Sequence, residues 1–450
     1  MNPRTIVKKV VPRNAFKKVE PYGHFGEAIA LNVKNQFPGR GLKVIGVTGT
    51  NGKTTTCFLI HKMLTEAGYK TGLMTTVAYG VGEDIKPQVE HMTTSSVPVL
   101  HQRLKQMKAQ GAEWLVLEVT SHALAQYRTW GIPLHLAVMT NITHEHLDYH
   151  GTFERYLAAK RLLFVQANRN KKGLRIGIAN ADDPNVGTFI SAIKNPVTYG
   201  LNGGDLRASN VQLTPSGSKY VAKIDTDTYD VTCHLPGSFN VSNSLAAVAV
   251  GRAIGLSKQQ IEQGIAALHS VEGRMERIDE GQLFDVIIDY AHTPDSYEKL
   301  FKDLKPVVKG KLIVMFGSAG RRDEAKRPVQ GRIAGKYADE VVVTEEDDRD
   351  MDGQAIMDEI AAGAEKSGKN RDRDLFLVHD RAEAIVFAFK RARKGDTVLL
   401  LGKGHERDIL RNGPRAAELR HLQQDDHNPD RVTEHKWDEV ATARKALKKL

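Results

Sequence analysis

Only two cysteines, Cys57 and Cys233, occur in 450 residues, and they lie far apart in the chain. Their scarcity excludes a disulfide framework and a cysteine-based metal cluster, and it predicts a protein of the reducing cytoplasm. No apolar run approaches the ~20 residues needed to cross a bilayer. The basic stretch from Met1 to Lys18 has no apolar core of the signal-peptide kind. Internal repeats and low-complexity segments are lacking too, which excludes a repeat architecture. Aromatic residues make up only 6% of the chain. They are not interleaved with the basic residues, so a net charge of +10 does not make a nucleic-acid stacking platform. No nucleic-acid partner is expected; a basic surface would instead draw a small anionic substrate. The basic end, Arg444 to Lys449, reads as a solvated helix face. Nothing in the sequence calls for a second copy, and a monomer is expected.

What is present begins with Gly46-Val47-Thr48-Gly49-Thr50-Asn51-Gly52-Lys53-Thr54-Thr55-Thr56. Before it, Leu42-Lys43-Val44-Ile45 has the length of a buried strand. After it, Cys57 to Leu64 is apolar at helical spacing and stopped by Gly68. Strand, glycine-rich turn and helix make a phosphate cradle. Glycines admit the phosphates to the backbone, and N–H groups at the helix start point at them. Lys53, on a solvent-facing loop, reaches the terminal phosphates, and the Thr54 hydroxyl serves magnesium. The strict G-x-x-x-x-G-K-[ST] spacing is not met, because Val47 stands where its first glycine belongs. A plain glycine turn before an ordinary helix is the alternative.

A chain of 450 residues exceeds a single core. Residues 1–42 form a short lead-in, too small for a domain with its own core. Residues 43–271 form a central domain. Strands are expected at Lys43–Val47, Trp114–Glu118, Leu136–Asn141 and Arg175–Asn180, with helices such as Val99–Gln110 and Thr152–Gln166 between them. That alternation predicts a mostly parallel sheet covered on both faces, with ligands at the carboxyl ends of its strands. Ala208 to Leu235 changes to antiparallel strand-and-turn grammar, and helices Val241–Ala253 and Ser257–Leu268 follow. Residues 272–450 form a second, Rossmann-like α/β domain. Its strands are expected at Phe284–Tyr290, Lys311–Phe316, Glu340–Thr344, Leu375–Val378 and Thr397–Leu401, with helices including Ser296–Val307 and Arg381–Arg391.

Several strand ends carry chemistry. Glu118 closes a strand expected beside the phosphate-loop strand, where an acid holds the magnesium of a nucleotide; a surface acid is the plainer alternative. Thr140-Asn141-Ile142-Thr143-His144-Glu145-His146-Leu147-Asp148-Tyr149-His150 packs histidines and acids into one loop. His144 reads as solvated, and His146 as a candidate for a second metal site. Lys160, within Tyr156 to Phe164, reads from the residues alone as an exposed helix lysine. Three polar loops leave strands of the last domain: Asp289 to Asp295, Gly317 to Asp323, and Gly402-Lys403-Gly404-His405-Glu406. Together they predict a binding face.

In this order the segments resemble the Mur ligase family, and within it the branch that adds the third residue of the peptidoglycan stem peptide. Thr48 to Thr54 is that family's form of the phosphate loop, which accounts for the displaced glycine. Thr93-Thr94, Glu118 to Leu124, Thr140-Asn141 through His150-Gly151, Leu235 to Asn240 and Gly273 to Glu276 follow, and then the three C-terminal loops. The resemblance implies that Gly49, Thr50, Asn51, Gly52, Lys53, Thr54 and Thr55 cradle ATP, with Asn240 and His292 also on the nucleotide. It implies that Thr54, Glu118, His146 and a carbamylated Lys160 hold magnesium, with Lys53, Lys160 and His146 catalytic. Thr93, Thr94, Thr120, Gln126 and Arg128 would hold a muramoyl-peptide nucleotide, and Arg322, Arg349, Gly402 and Glu406 a diamino acid. The implied reaction is ATP-dependent amide formation through an acyl phosphate. The substrate would be UDP-N-acetylmuramoyl-L-alanyl-D-glutamate, and meso-diaminopimelate is favoured over L-lysine as the residue added.

Two departures stand out. A UDP-binding first domain is expected to be lacking, since only the lead-in precedes the loop. Where many members have Asp-Asn-Pro-Arg, this chain has Glu346-Asp347-Asp348-Arg349. The competing readings are a folylpolyglutamate synthetase or a muropeptide-recycling ligase of the same superfamily. From another class comes a nucleic-acid-dependent motor ATPase, which would need a strand ending in Asp-Glu and an arginine finger.

Overall fold

The computed structural model describes residues 13–88, 93–143, 145–214, 216–419 and 428–450. The chain forms two compact units. The first runs to Leu268 apart from two short stretches, and the second from His269 to Leu450. Among the described residues no helix is long and apolar enough to cross a membrane.

The first unit is built on one sheet of eleven strands. They are β1 (Lys43–Thr48), β2 (Thr71–Met74), β3 (Ala78–Val81), β4 (Asp84–Pro87), β5 (Trp114–Glu118), β6 (Leu134–Met139), β7 (Ile176–Asn180), β8 (Asn195–Gly200), β9 (Leu206–Thr214), β10 (Gly217–Ile224) and β11 (Asp227–Cys233). Their order is β11-β10-β9-β8-β7-β6-β1-β5-β2-β3-β4. From β9 through β2 every pairing is parallel, and β1 and β5 are fully buried but for Lys43. Near-continuous apolar runs such as Trp114-Leu115-Val116-Leu117 belong in such strands, because helices cover both faces. The close packing is visible at Gly46, where an added Cβ would lie 2.8 Å from Leu163 Cδ1. The sheet is finished at one edge by the antiparallel run β2-β3-β4 and at the other by the antiparallel pair β10-β11.

The expected strands and helices of this unit are present with ends shifted by up to three residues: β6 begins at Leu134 and stops at Met139, and helix Phe153–Arg169 outlasts its expected end. The lead-in is more ordered than its sequence implied. Helix Arg13–Lys34 runs through Pro21, Gly23 and Gly26, residues that ordinarily interrupt helices. Burial of Ala28 and Asn32 accompanies its later turns, so tertiary packing overrides local propensity.

The second unit has a six-stranded sheet of order β12-β13-β17-β14-β15-β16. Its strands are β12 (Glu276–Ile278), β13 (Asp285–Asp289), β14 (Leu312–Phe316), β15 (Glu340–Val343), β16 (Leu375–Leu377) and β17 (Thr397–Leu401). All pairs are parallel except β12 with β13. A separate hairpin joins β18 (Asp408–Asn412) to β19 (Val432–Lys436). The core gathers Ile288, Ile313, Met315, Val342, Phe389, Val398 and Leu400. Helix Glu439–Leu447 closes on it through a fully buried ion pair, Arg381 Nη2 to Glu439 Oε1 at 2.6 Å. The same guanidinium donates to the carbonyls of Glu345 and Leu401. The basic end is therefore not purely solvated, since Arg444 of this helix pairs with Glu280.

Candidate active site

In the first unit β1 ends at Thr48 and the chain turns into helix Lys53–Glu66. Gly52 caps that helix with φ +82, and a Cβ there would lie 2.3 Å from Asn243 Oδ1. Only glycine meets both conditions at once. The loop is pinned from the end of β6: Asn51 N–H donates to Asn141 Oδ1 at 3.0 Å, while Asn141 Nδ2 and Thr140 Oγ1 donate to the Asn51 carbonyl at 2.9 and 2.6 Å. Thr50 Oγ1 meets the Tyr156 hydroxyl at 2.9 Å. Thr55 is buried behind the loop. Lys53 is not on a loop: it is the first residue of the helix and half-buried, with its ammonium 2.7 Å from the Thr50 carbonyl.

Parallel register sets Val47 of β1 beside Glu118 of β5. Glu118 is buried, which rejects the surface-acid alternative. Its Oε2 accepts from Thr54 Oγ1 at 2.9 Å and from Thr76 N–H at 3.0 Å, and its Oε1 from Thr76 Oγ1 at 3.0 Å. An acid and a hydroxyl thus meet at the start of a helix whose free N–H groups favour anions. Oxygen donors of this kind suit magnesium.

Lys160 is buried rather than exposed: its ammonium donates to the Gly49 carbonyl at 2.5 Å and sits 4.8 Å from the Tyr156 ring centre. Burial, and then the Lys53 charge, push its pKa well below the ordinary lysine range, although Glu145 and Glu118 pull the other way. A neutral amine is the form that reacts with carbon dioxide. His146 adopts φ +55 with its ring edge-on to His122 at 4.7 Å, and its Nε2 lies 3.7 Å from a Glu145 carboxylate oxygen. His144 lies outside the described residues. Asn240 is buried and accepts from Asn243 Nδ2 at 2.9 Å.

Four of the five residues expected to hold the muramoyl-peptide form one hydrogen-bonded group. Thr94 Oγ1 donates to the Glu118 carbonyl at 3.0 Å and accepts from Thr120 N–H at 3.1 Å. Arg128 donates to the Thr94 carbonyl at 2.6 Å and, from Nε, to Gln126 Oε1 at 2.9 Å. Gln126 Nε2 reaches the Tyr149 hydroxyl at 3.2 Å. Thr93 is half-buried beside Thr94.

In the second unit the three polar loops leave β13, β17 and β14, which are neighbours in the sheet. Lys403 is buried between Asp347 Oδ1 at 2.9 Å and Glu406 Oε2 at 2.7 Å. Burial works to raise the Glu406 carboxyl, but the Lys403 ammonium overrides it and holds the pKa at about 2. Tyr290 donates to the other Glu406 oxygen at 3.1 Å. Glu346 is buried with no hydrogen bond to its Oε2, and burial pushes its pKa up. That oxygen would lie 2.8 Å from a Cβ at Gly402, so any larger residue there would crowd it. Asp348 Oδ2 is 2.6 Å from His379 Nε2. Arg349 is buried; its Nη1 donates to the Gly320 carbonyl at 2.8 Å and its N–H to the Leu410 carbonyl at 2.9 Å. Arg322 is exposed. His292 Nδ1 lies 2.9 Å from the Tyr290 carbonyl, and its own carbonyl accepts from Lys326 and Gln330.

Among the described residues, the one group of three ligand-type side chains with donor atoms within 4.8 Å of one another is Glu345, Asp348 and His379. Glu345 already holds Arg411 at 2.5 and 2.8 Å, so this group is an ion-pair network. Thr76, Asn243, Tyr156 and Lys403 were missed as site residues. Only Lys403 had a signal, its place inside a glycine turn.

The Mur ligase middle domain family matches residues 47–251, and the Mur ligase glutamate ligase domain family matches residues 273–404. The chain is 42% identical over 425 residues to a UDP-N-acetylmuramyl-tripeptide synthetase of Roseiflexus sp. (strain RS-1), covering 92% of this chain and 80% of the relative. It is 41% identical over 373 residues to a UDP-N-acetylmuramoyl-L-alanyl-D-glutamate–2,6-diaminopimelate ligase of Geobacillus thermodenitrificans (strain NG80-2), covering 82% and 75%. A solved structure of a ligase of that second name matches with a TM-score of 0.61 at 29% identity, over 91% of this chain and 79% of the other. A folylpolyglutamate synthase of Mycobacterium tuberculosis has a TM-score of 0.69 at 18% identity, over 88% and 95%, a likeness of fold alone.

Proposed function

The chain belongs to the Mur ligase family, and from that premise we propose that it is the ATP-dependent ligase adding a diamino acid to UDP-N-acetylmuramoyl-L-alanyl-D-glutamate in cytoplasmic peptidoglycan synthesis. The observation that carries the reading is the contact of Thr54 with buried Glu118 at the phosphate loop, in a chain so similar throughout to tripeptide synthetases. The motor ATPase reading finds no support in any relative named above.

The substrate carboxylate attacks the γ-phosphorus of ATP, the bond to the β-phosphate oxygen breaks, and ADP leaves from an acyl phosphate. Lys53, as an ammonium at the helix start, offsets charge on the transferring group. Thr54, Glu118, His146 and a carbamylated Lys160 would hold magnesium, which supplies further charge neutralisation at the phosphates. Lys160 suits carbamylation because burial, and then the Lys53 charge, push its pKa down and so favour the neutral amine. Gln126, Arg128, Thr93, Thr94 and Thr120 hold the muramoyl-peptide. The amine of the incoming residue then attacks the acyl carbon, and phosphate leaves.

The acceptor is read from Glu346 to Arg349. Asp347 and Asp348 are already matched by Lys403 and His379. Glu346 keeps a buried oxygen, Oε2, without a hydrogen bond. Glu346 could take the distal ammonium, and Arg349 suits a carboxylate at the far end. This supports meso-diaminopimelate over L-lysine, with Glu406, Gly402 and Arg322 completing the site.

The test measures phosphate release with the UDP-linked dipeptide, ATP and magnesium, with each amino acid in turn. A kcat/KM for meso-diaminopimelate at least about tenfold above L-lysine is expected. Turnover of a folate with glutamate, and none with the muramoyl-dipeptide, would overturn the reading.

A further inference from the structure

The turn 126–131, between helix Ser121–Ala125 and β6, has two faces. Gln126 and Arg128 point to Thr94 and Tyr149 through the hydrogen bonds given above. Tyr127, between them, adopts φ +53, a conformation uncommon outside glycine. Its ring and that of Trp130 meet the lead-in helix instead. Phe25 lies 4.9 Å from Tyr127 and 5.7 Å from Trp130, centre to centre, the second contact edge-on. Buried Asn32 donates from Nδ2 to the Trp130 carbonyl at 2.9 Å. Gly131 follows with φ +84, and a Cβ there would come within 2.5 Å of Asn32 Oδ1. Phe37, three residues past the end of the helix, lies 6.1 Å from Trp130, centre to centre. The turn is thus fitted to the lead-in through Phe25, Asn32 and Phe37.

We propose that Phe25 and Asn32 are positioning residues of the donor site: they fix the turn 126–131 so that Gln126 and Arg128 meet the muramoyl-peptide in one geometry. The inference rests on the proposed function for the identity of that ligand. Loops carry binding residues well only when a rigid neighbour holds them. Here the neighbour is a helix outside the residues matched by the Mur ligase middle domain family. Aromatic contacts of this geometry stabilise beyond the area they bury. Releasing them frees Tyr127 to leave its left-handed conformation and take both neighbours with it.

The experiment uses the full chain with Phe25→Ala, Phe25→Tyr and Asn32→Ala. Phe25→Ala is expected to raise KM for the UDP-linked dipeptide about tenfold, with kcat and KM for ATP within about twofold of wild type. Phe25→Tyr keeps the ring and restores the donor KM. Amide exchange at 127–131 quickens in Phe25→Ala and in Asn32→Ala, while the phosphate loop keeps its protection. A donor KM unchanged in Phe25→Ala, or a KM for ATP that rises as much as that for the donor, overturns the proposal. If wild type does not turn over the muramoyl-dipeptide at all, the proposed function fails. Amide exchange then still decides whether the helix holds the turn, and unchanged exchange refutes it.

Discussion

Replacing Lys403 with methionine keeps the length of the side chain and removes its charge. The ammonium is 1% exposed and lies between Asp347, 11% exposed, and Glu406, 34% exposed. Removing one partner of a buried ion pair costs about 3–5 kcal/mol, because the other charge stays behind. Solvent screens the Glu406 half of the arrangement, so the low end, about 3 kcal/mol, applies. For a unit of this size each kcal/mol moves the midpoint by about 2–4 °C, so the second unit should unfold roughly 6–12 °C earlier. The loss depends on pH. Glu406 is lowered in the folded protein from an ordinary 4.5 to about 2. It therefore contributes stability that is present above its unfolded pKa and is lost as pH falls from about 4.5 towards 2. Without Lys403, the largest influence opposing burial is gone, the carboxyl titrates higher, and protonation relieves the variant. The deficit of Lys403→Met should thus be largest near pH 8 and shrink on acidification. Calorimetry of both proteins at several pH values measures it. A midpoint within about 2 °C of wild type near pH 8, or a deficit that grows on acidification, would refute the reasoning.

Lys53→Ala should abolish ligation and leave the unfolding midpoint near that of wild type, since its ammonium bonds only the adjacent loop carbonyl; measuring rate and midpoint together checks it, and an active variant sinks the phosphate-loop assignment. Lys160→Ala should retain little activity, partly restored by formate or acetate, because a small anion can replace the carbamate oxygen ligands; full activity without added carboxylate would remove the carbamate from the mechanism. Glu118→Gln should raise the magnesium concentration for half-maximal rate by about tenfold, since an amide oxygen is neutral where the carboxylate carried charge; an unchanged magnesium titration would dissociate Glu118 from the metal.

The parallel strands were legible because burial on both faces writes itself as apolar runs. Trp114–Glu118 and Thr397–Leu401 match their expected limits. Strands β2, β3 and β4 left no such mark: they are four residues each, and β4, Asp84-Ile85-Lys86-Pro87, is largely exposed. Hairpin β18-β19 pairs residues on either side of a long polar interval, which local pattern cannot reveal. The loop 49–56 was readable from its own residues. Its supports were not, because Thr76, Tyr156 and Asn243 reach it from elsewhere in the sequence and look ordinary where they stand. Lys160 is the sharpest contrast. Its neighbours spell an amphipathic helix with a lysine at an open position, yet helix Phe153–Arg169 buries that position against the loop.

The buried pair of Arg381 with Glu439 has a consequence for how the protein is made. Glu439 follows Arg381 by 58 residues. During synthesis the guanidinium leaves the ribosome while its counter-ion is still to be translated. Until then the sheet of the second unit can close only around an unmatched charge. The first unit, whose sheet and covering helices are complete by Leu268, waits for nothing downstream. Domains form in order of emergence, so the nascent chain should pass through a stage with one finished half and one half held open. Rare codons or a pause between Arg381 and Glu439 would lengthen that stage, and a chaperone that binds exposed apolar strands would find β13, β14 and β17 there.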